Sequence, residues 1–258
     1  MSLIKKTFGA AAIAAMALIV CPAQAAGELA GKTLRIGVDP TNPPFATLAN
    51  DYITPVGLDI DIIMELKKRL GFELAENRIL PMLRGEQLRR VKNKQIDVLA
   101  GCLSATIERT EFMDFSHIYF DTGLSVIYSK KKYNNVDDIK KFSNGKVGAV
   151  LGTTGEDFID RNIPGAEKVQ LSSFMIGIVA VTQGKLDAMV YDKPIIEYFA
   201  QTMPAFNLQI VDKIYDRQHG QIAFGFAKDS PYAYDISTEM YRMKLDGTLD
   251  KIIKKYFK

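Results

Sequence analysis

The chain has 258 residues, 47% of them apolar and 24% charged, with a formal charge of +3 and no tryptophan. That balance is ordinary for a globular chain and long enough to bury a large core. It contains no basic tract of the kind that holds nucleic acid. Two isolated histidines, His117 and His219, give no basis for a zinc site, and no phosphate-binding glycine loop is present, so neither metal nor cofactor is expected.

Lys5 and Lys6 precede an apolar run over residues 8–20, which leads to Ala23-Gln24-Ala25. A basic start, a short apolar segment and a small-x-small site define a secretory signal peptide over residues 1–25, leaving a chain that starts at Ala26. Losing Lys5 and Lys6 takes the formal charge from +3 to +1. Cys21 would be a lipid anchor if it became the first residue, but Leu18-Ile19-Val20 lacks the small residue that such processing needs. The expected location is therefore the periplasm, in soluble form, since no later run approaches about 20 apolar residues. Cys102 then remains as a single thiol, without an intramolecular disulfide.

From Gly31 onward, short apolar runs alternate with amphipathic segments, the pattern of an α/β fold. Residues 34–38 read as a strand, followed by a loop stiffened by Pro40, Pro43 and Pro44. Asp59 stands where it can cap a helix with the stripe Ile62, Ile63, Leu66 and Leu70, stopped by Gly71. A strand over 72–74, a helix over 87–92 and a strand over 96–100 complete a β-α-β-α-β unit. The order returns with a strand over 147–151, a helix opening over 154–160, a helix over 174–183 and a strand over 186–191. Segment 221–226 and helices over 232–245 and 249–257 are placed back on the first half. The reading is two lobes, 26–121 plus 219–258 and 122–218, each a mainly parallel sheet flanked by helices. Strand-like crossings near 119–124 and 215–222 would act as a hinge.

The loop after residues 96–100 carries Gly101-Cys102-Leu103-Ser104 and then Arg109, at the sheet end where open α/β folds put ligand loops. Arg109 offers a planar fork matched to a carboxylate, and Ser104 a hydroxyl and an N–H. Gly152-Thr153-Thr154-Gly155 follows a strand and opens a helix, with Thr154 and Asp157 at capping-box spacing. Exposed N–H groups at such a start favour an anion.

Asp39-Pro40-Thr41-Asn42-Pro43-Pro44-Phe45, Gly57-Leu58-Asp59-Ile60-Asp61, the run from Gly101 to Arg109 and Met113-Asp114-Phe115-Ser116 occur in an order and spacing that resembles the family 3 bacterial extracellular solute-binding proteins, over essentially the whole exported chain. The resemblance implies a two-lobed periplasmic-binding-protein fold of type II and the role of substrate-binding component of an ABC importer. In that role the cleft captures a polar α-amino acid by hinge closure, and the monomer delivers it to a membrane permease.

The resemblance also implies that Arg109, Ser104 and Thr154 hold the ligand carboxylate, and that Asp192 and Ser104 hold its ammonium. The competing readings are a surface Arg109 paired with Glu108 or Glu111, and Asp192 as the cap of the helix containing Pro194. Asp39, Gly101, Cys102 and Thr153 join the cleft, while Phe45 is assigned either to the ligand or to the core. Two positions depart from the family pattern: Asn42 and Arg84 replace common aromatic residues, which argues against a large aromatic ligand. Arg84 is either an inward cation favouring an acidic or hydrogen-bonding side chain, or a solvated residue at a helix start. Asp187 reads as structural. An alternative is an exported cyclohexadienyl or arogenate dehydratase on the same fold, with Glu86, Asp39 or Glu156 as its acid. A ligand-sensing partner of a membrane receptor is the remaining reading.

Overall fold

A computed structural model describes residues 27–257; the leader over 1–25, Cys21 and the start at Ala26 lie outside the described residues. Two five-stranded sheets organise the chain. The first runs Leu80–Pro81, Ile36–Val38, Val98–Ala100, Gly225–Ala227, Met113–Phe115. The second runs Glu167–Leu171, Lys146–Val150, Ala188–Asp192, Leu124–Ser129, Leu208–Ile210. In both, the first two pairings are parallel and the last two antiparallel. The fold is thus two-lobed α/β with mixed sheets, the parallel half of each built from the predicted β-α-β pattern. Its inner strands are buried on both faces, as in Ile36–Val38, Val98–Ala100 and Ala188–Asp192, which explains their apolar runs, broken only at Asp192 where the last of them ends.

The C-terminal segment returns to the first sheet. Gly225–Ala227 inserts between Val98–Ala100 and Met113–Phe115, and helices Ala233–Leu245 and Thr248–Ile253 pack against helix Leu58–Leu70. The two passages between the sheets lie side by side: Phe120–Asp121 pairs antiparallel with Gln221–Ile222, and Leu124 bridges to Tyr215. Phe45 belongs to the core. It is fully buried, with ring centroids 5.2 Å from Phe120 and 5.4 Å from Phe257.

Helix Leu58–Leu70 buries the predicted stripe and ends at Gly71, whose left-handed backbone lets its N–H reach Lys67 O. Its start corrects the expectation for Asp59. The cap position is Gly57, and Asp59 lies one residue inside the helix with its side chain fully buried. Helix Arg84–Lys92 begins three residues before the predicted start at 87. The reason is distant in sequence: Asp39 Oδ2 accepts from Arg84 N at 3.0 Å, capping a helix that its own flanking residues do not cap.

Among the described residues, no helix is long and apolar enough to cross a membrane.

Candidate functional site

The carboxyl ends of the parallel strands deliver loops from both sheets to one region. Asp39 follows Ile36–Val38, Gly101 follows Val98–Ala100, Gly152 follows Lys146–Val150, and Asp192 ends Ala188–Asp192. This is the crevice that open α/β sheets offer to ligands. Two hydrogen bonds join its walls: Arg109 Nη2 donates to Gly152 O at 3.0 Å, and Tyr191 OH donates to Asn42 Oδ1 at 2.7 Å.

On the first wall, Gly101 has φ 100°, and a Cβ there would lie 2.7 Å from Asp39 N, so the close approach of these two strand ends requires glycine. Asp59 fixes the turn. Its Oδ2 accepts from Gly101 N at 2.6 Å and Cys102 N at 3.1 Å, and its Oδ1 accepts from Tyr119 OH at 2.5 Å. The same turn presents its carbonyls inward, where Gly101 O accepts from Asn42 Nδ2 at 2.9 Å and from Arg84 Nη2. Arg84 is only 4% exposed, which rules out the solvated helix-start reading. Its other bonds go to Cys102 O at 3.3 Å and Gln87 Oε1 at 2.6 Å, and Gln87 is itself held by Ala100 O. Asp39 accepts from Thr41 N, Thr41 Oγ1 and Arg84 N. Cys102 is buried, and burial pushes its thiol well above the usual range, which leaves it a neutral wall group.

Arg109 is buried and pairs with neither Glu108 nor Glu111; Nη1 donates to Ser104 O at 2.6 Å. Its pKa falls to about 10, chiefly through burial and then through the like charge of Arg84. Ser104 is buried in an antiparallel bridge with Ile222, so the loop is tied to the passage between the sheets.

On the second wall, the capping box expected from Thr154 and Asp157 does not form. Thr153 takes the cap position of helix Thr154–Asn162, and Glu156 Oε2 accepts from Gly152 N at 2.7 Å. Thr153 and Thr154 line a cavity of about 190 Å³ that also touches Arg109. Asp192 holds the cap position of helix Lys193–Thr202, yet its side chain makes no capping bond. Asp192 Oδ1 is buried without a hydrogen-bond partner among the described residues. Burial raises its pKa to about 6, against the attraction of Arg84 and Arg109. A buried carboxylate oxygen without a hydrogen bond is costly for a fold, and the charges that attract this one are two guanidiniums on the opposite wall.

The family model of the bacterial extracellular solute-binding proteins, family 3, matches residues 34–258. The chain belongs to that family. Among curated relatives, a probable histidine-binding protein of Campylobacter jejuni is 30% identical over 234 residues, covering 87% of this chain and 84% of the relative. The ABC transporter glutamine-binding protein GlnH of Bacillus subtilis is 28% identical over 203 residues, covering 78% and 72%. Among solved structures, an ancestral arginine-binding protein bound to glutamine superposes with a TM-score of 0.79 at 27% identity, covering 87% of this chain and 97% of that one.

Within this family member, Asp39, Asn42, Arg84, Gly101, Cys102, Ser104, Arg109 and Asp192 all contribute buried groups to the crevice walls, and Thr153 and Thr154 line the adjoining cavity. Phe45 is the candidate that the fold removes to the core. Asp187 is structural as expected, accepting from Tyr133 OH and Lys146 N and pairing with Lys132. His219 Nδ1 lies 2.6 Å from Asp216 Oδ1, and the His117 ring packs tilted against Tyr241. Sequence reading missed Tyr191, Gln87, Tyr119 and the buried role of Asp59. The signal for Tyr191 was its place beside Asp192 at a strand end. Gln87 stands three residues after Arg84, the spacing at which helical side chains meet.

Proposed function

We propose that this chain is the extracytoplasmic substrate-binding component of an ABC importer and that it captures a polar α-amino acid between its lobes. The observation that carries the reading is the buried Asp192 carboxylate, whose Oδ1 has no hydrogen-bond partner among the described residues and which feels Arg109 across the crevice. An α-amino acid supplies the missing charges: its ammonium answers Asp192, and its carboxylate answers Arg109 together with Ser104 and the helix start at Thr153 and Thr154. Opposed charges on two walls bind a zwitterion fully only when the walls meet, which makes ligand capture and closure one event. The lobes are 26–121 plus 219–258 and 122–218, hinged at the paired passages, and the closed monomer is the form that a membrane permease would recognise in the periplasm. The names of the relatives, which cite histidine, glutamine and arginine, support an amino acid as ligand.

Binding without chemistry is also the better-supported use of the site. The three carboxyls that a dehydratase would enlist are committed elsewhere. Asp39 is held by three donors, Glu86 pairs with Arg89 and Arg90 on an open helix face, and Glu156 is held by Gly152 N and Gln170.

The test is thermal unfolding of refolded, ligand-stripped protein with the twenty amino acids, cystine, ornithine, prephenate and arogenate. A true ligand at a hundredfold excess over its Kd stabilises by about 2.7 kcal/mol. The expected outcome is a shift with one or a few polar amino acids, lost in Arg109→Ala. No shift with any amino acid overturns the reading, and turnover of prephenate or arogenate replaces it with the enzyme.

A further inference from the structure

The crevice walls carry five buried ionisable groups of full charge, and their bonding divides them unequally. Asp39 and Asp59 are each satisfied by three donors from the first lobe itself. Asp192 has none at Oδ1 among the described residues. Arg84 and Arg109 are bonded only to neutral oxygens: Gln87 Oε1, Gly101 O and Cys102 O for one, Ser104 O and Gly152 O for the other. No Asp or Glu among the described residues forms an ion pair with either guanidinium. What the protein leaves unanswered is therefore two cations and one anion.

We infer that the ligand is a dicarboxylic α-amino acid, with its ammonium on Asp192, its α-carboxylate on Arg109 and its side-chain carboxylate on Arg84. This rests on the receptor reading above and deepens it. A simple zwitterion brings one carboxylate and leaves the second buried guanidinium bonded to neutral oxygens alone. A basic side chain adds a third positive charge beside two that already repel, as the depression of Arg109 by Arg84 records. Asp192 feels Arg84 more strongly than Arg109, so occupying Asp192 with an ammonium draws away an anionic influence on Arg84 that comes from the opposite wall. The second carboxylate restores it. Bidentate pairing suits the guanidinium fork, and the charge-assisted bond outranks the one an amide would make. Beside Arg84 the wall is polar as well: Asn42 shares the Gly101 carbonyl with it and accepts from the Tyr191 hydroxyl.

Isothermal titration of the ligand-stripped protein with L-glutamate, L-aspartate, L-glutamine, L-asparagine, L-arginine and L-histidine tests this directly. The expected result is that one of the acids binds at least about 100-fold more tightly than its own amide. Arg84→Gln should bring acid and amide within about tenfold of each other, while Arg84→Lys keeps most of the preference; unfolding midpoints confirm that each variant is folded. Should Arg84→Gln fail to fold, the discrimination by the native chain decides alone. Tighter binding of an amide or a basic amino acid overturns the inference and leaves the receptor reading standing. Binding of no amino acid overturns both.

Discussion

Two carboxylates, one in each lobe, are alike in burial and unlike in company. Asp59 and Asp192 are both raised to about 6 by burial, the first against the bonds it accepts from Tyr119, Gly101 and Cys102, the second against two guanidiniums across the crevice. Asp59 is closed on itself within the first lobe, where it fixes the Gly101 turn. Asp192 is prepared for something outside its own lobe. The comparison teaches that burial and a displaced pKa do not by themselves mark a binding group; the unspent hydrogen-bonding capacity does.

The largest effects should separate these two residues. Asp59→Ala leaves two buried N–H groups and a hydroxyl unpaired, and should cost about 3–5 kcal/mol of stability in denaturant unfolding. Asp192→Asn should leave the ligand-free fold as stable as before, or more so, and weaken ligand binding at least about 100-fold by calorimetry. Equal loss of stability in both variants would erase the distinction.

A pH series sharpens the same contrast at intermediate size. Both folded carboxyls hold their protons more tightly than a free aspartate, at about 6 rather than about 3.8. The folded state therefore binds more protons than the unfolded between those values, so these two groups make the ligand-free protein lose stability as pH rises from about 4 to 6, and then level off. This is the reverse of the usual aspartate contribution. Ligand ammonium requires ionised Asp192, so affinity should fall by up to about tenfold per pH unit below 6. Asp192→Asn should flatten that slope, and an unchanged slope would remove Asp192 from the ligand.

The smallest effect concerns the bond between the walls. Tyr191→Phe removes the donor to Asn42 while keeping the ring packed 4.8 Å from Phe174. It should weaken ligand binding by about 1 kcal/mol, roughly fivefold, with little change in the unfolding midpoint of ligand-free protein. Equal affinity in both forms would mean that this bond does not help the walls stay together.

Much of the fold was legible because its signals are local. The apolar runs over 96–100 and 147–151, the stripe ending at Gly71 and the proline loop each state their own structure within a few residues. The readings that local sequence left open or misplaced share the opposite property. Asp59 has the residue type of a helix cap, but Tyr119 and the Gly101 turn claim its oxygens from 42 to 60 residues away. Arg84 has the composition of a solvated helix start, but the Gly101 and Cys102 carbonyls draw it inward. Phe45 lies in a ligand-loop motif, but Phe120 and Phe257 claim it for the core.

The sequence by itself determined the α/β class, the two-lobed order and the family, because hydrophobic periodicity, turn residues and spaced motifs are properties of neighbouring positions. It also supplied the charged groups of the crevice. Only the tertiary structure decided which of those charges are spent on the protein and which remain for a ligand. That distinction depends on bonds between residues far apart in the chain, such as Asp39 with Arg84 and Asp59 with Tyr119, which no local pattern encodes.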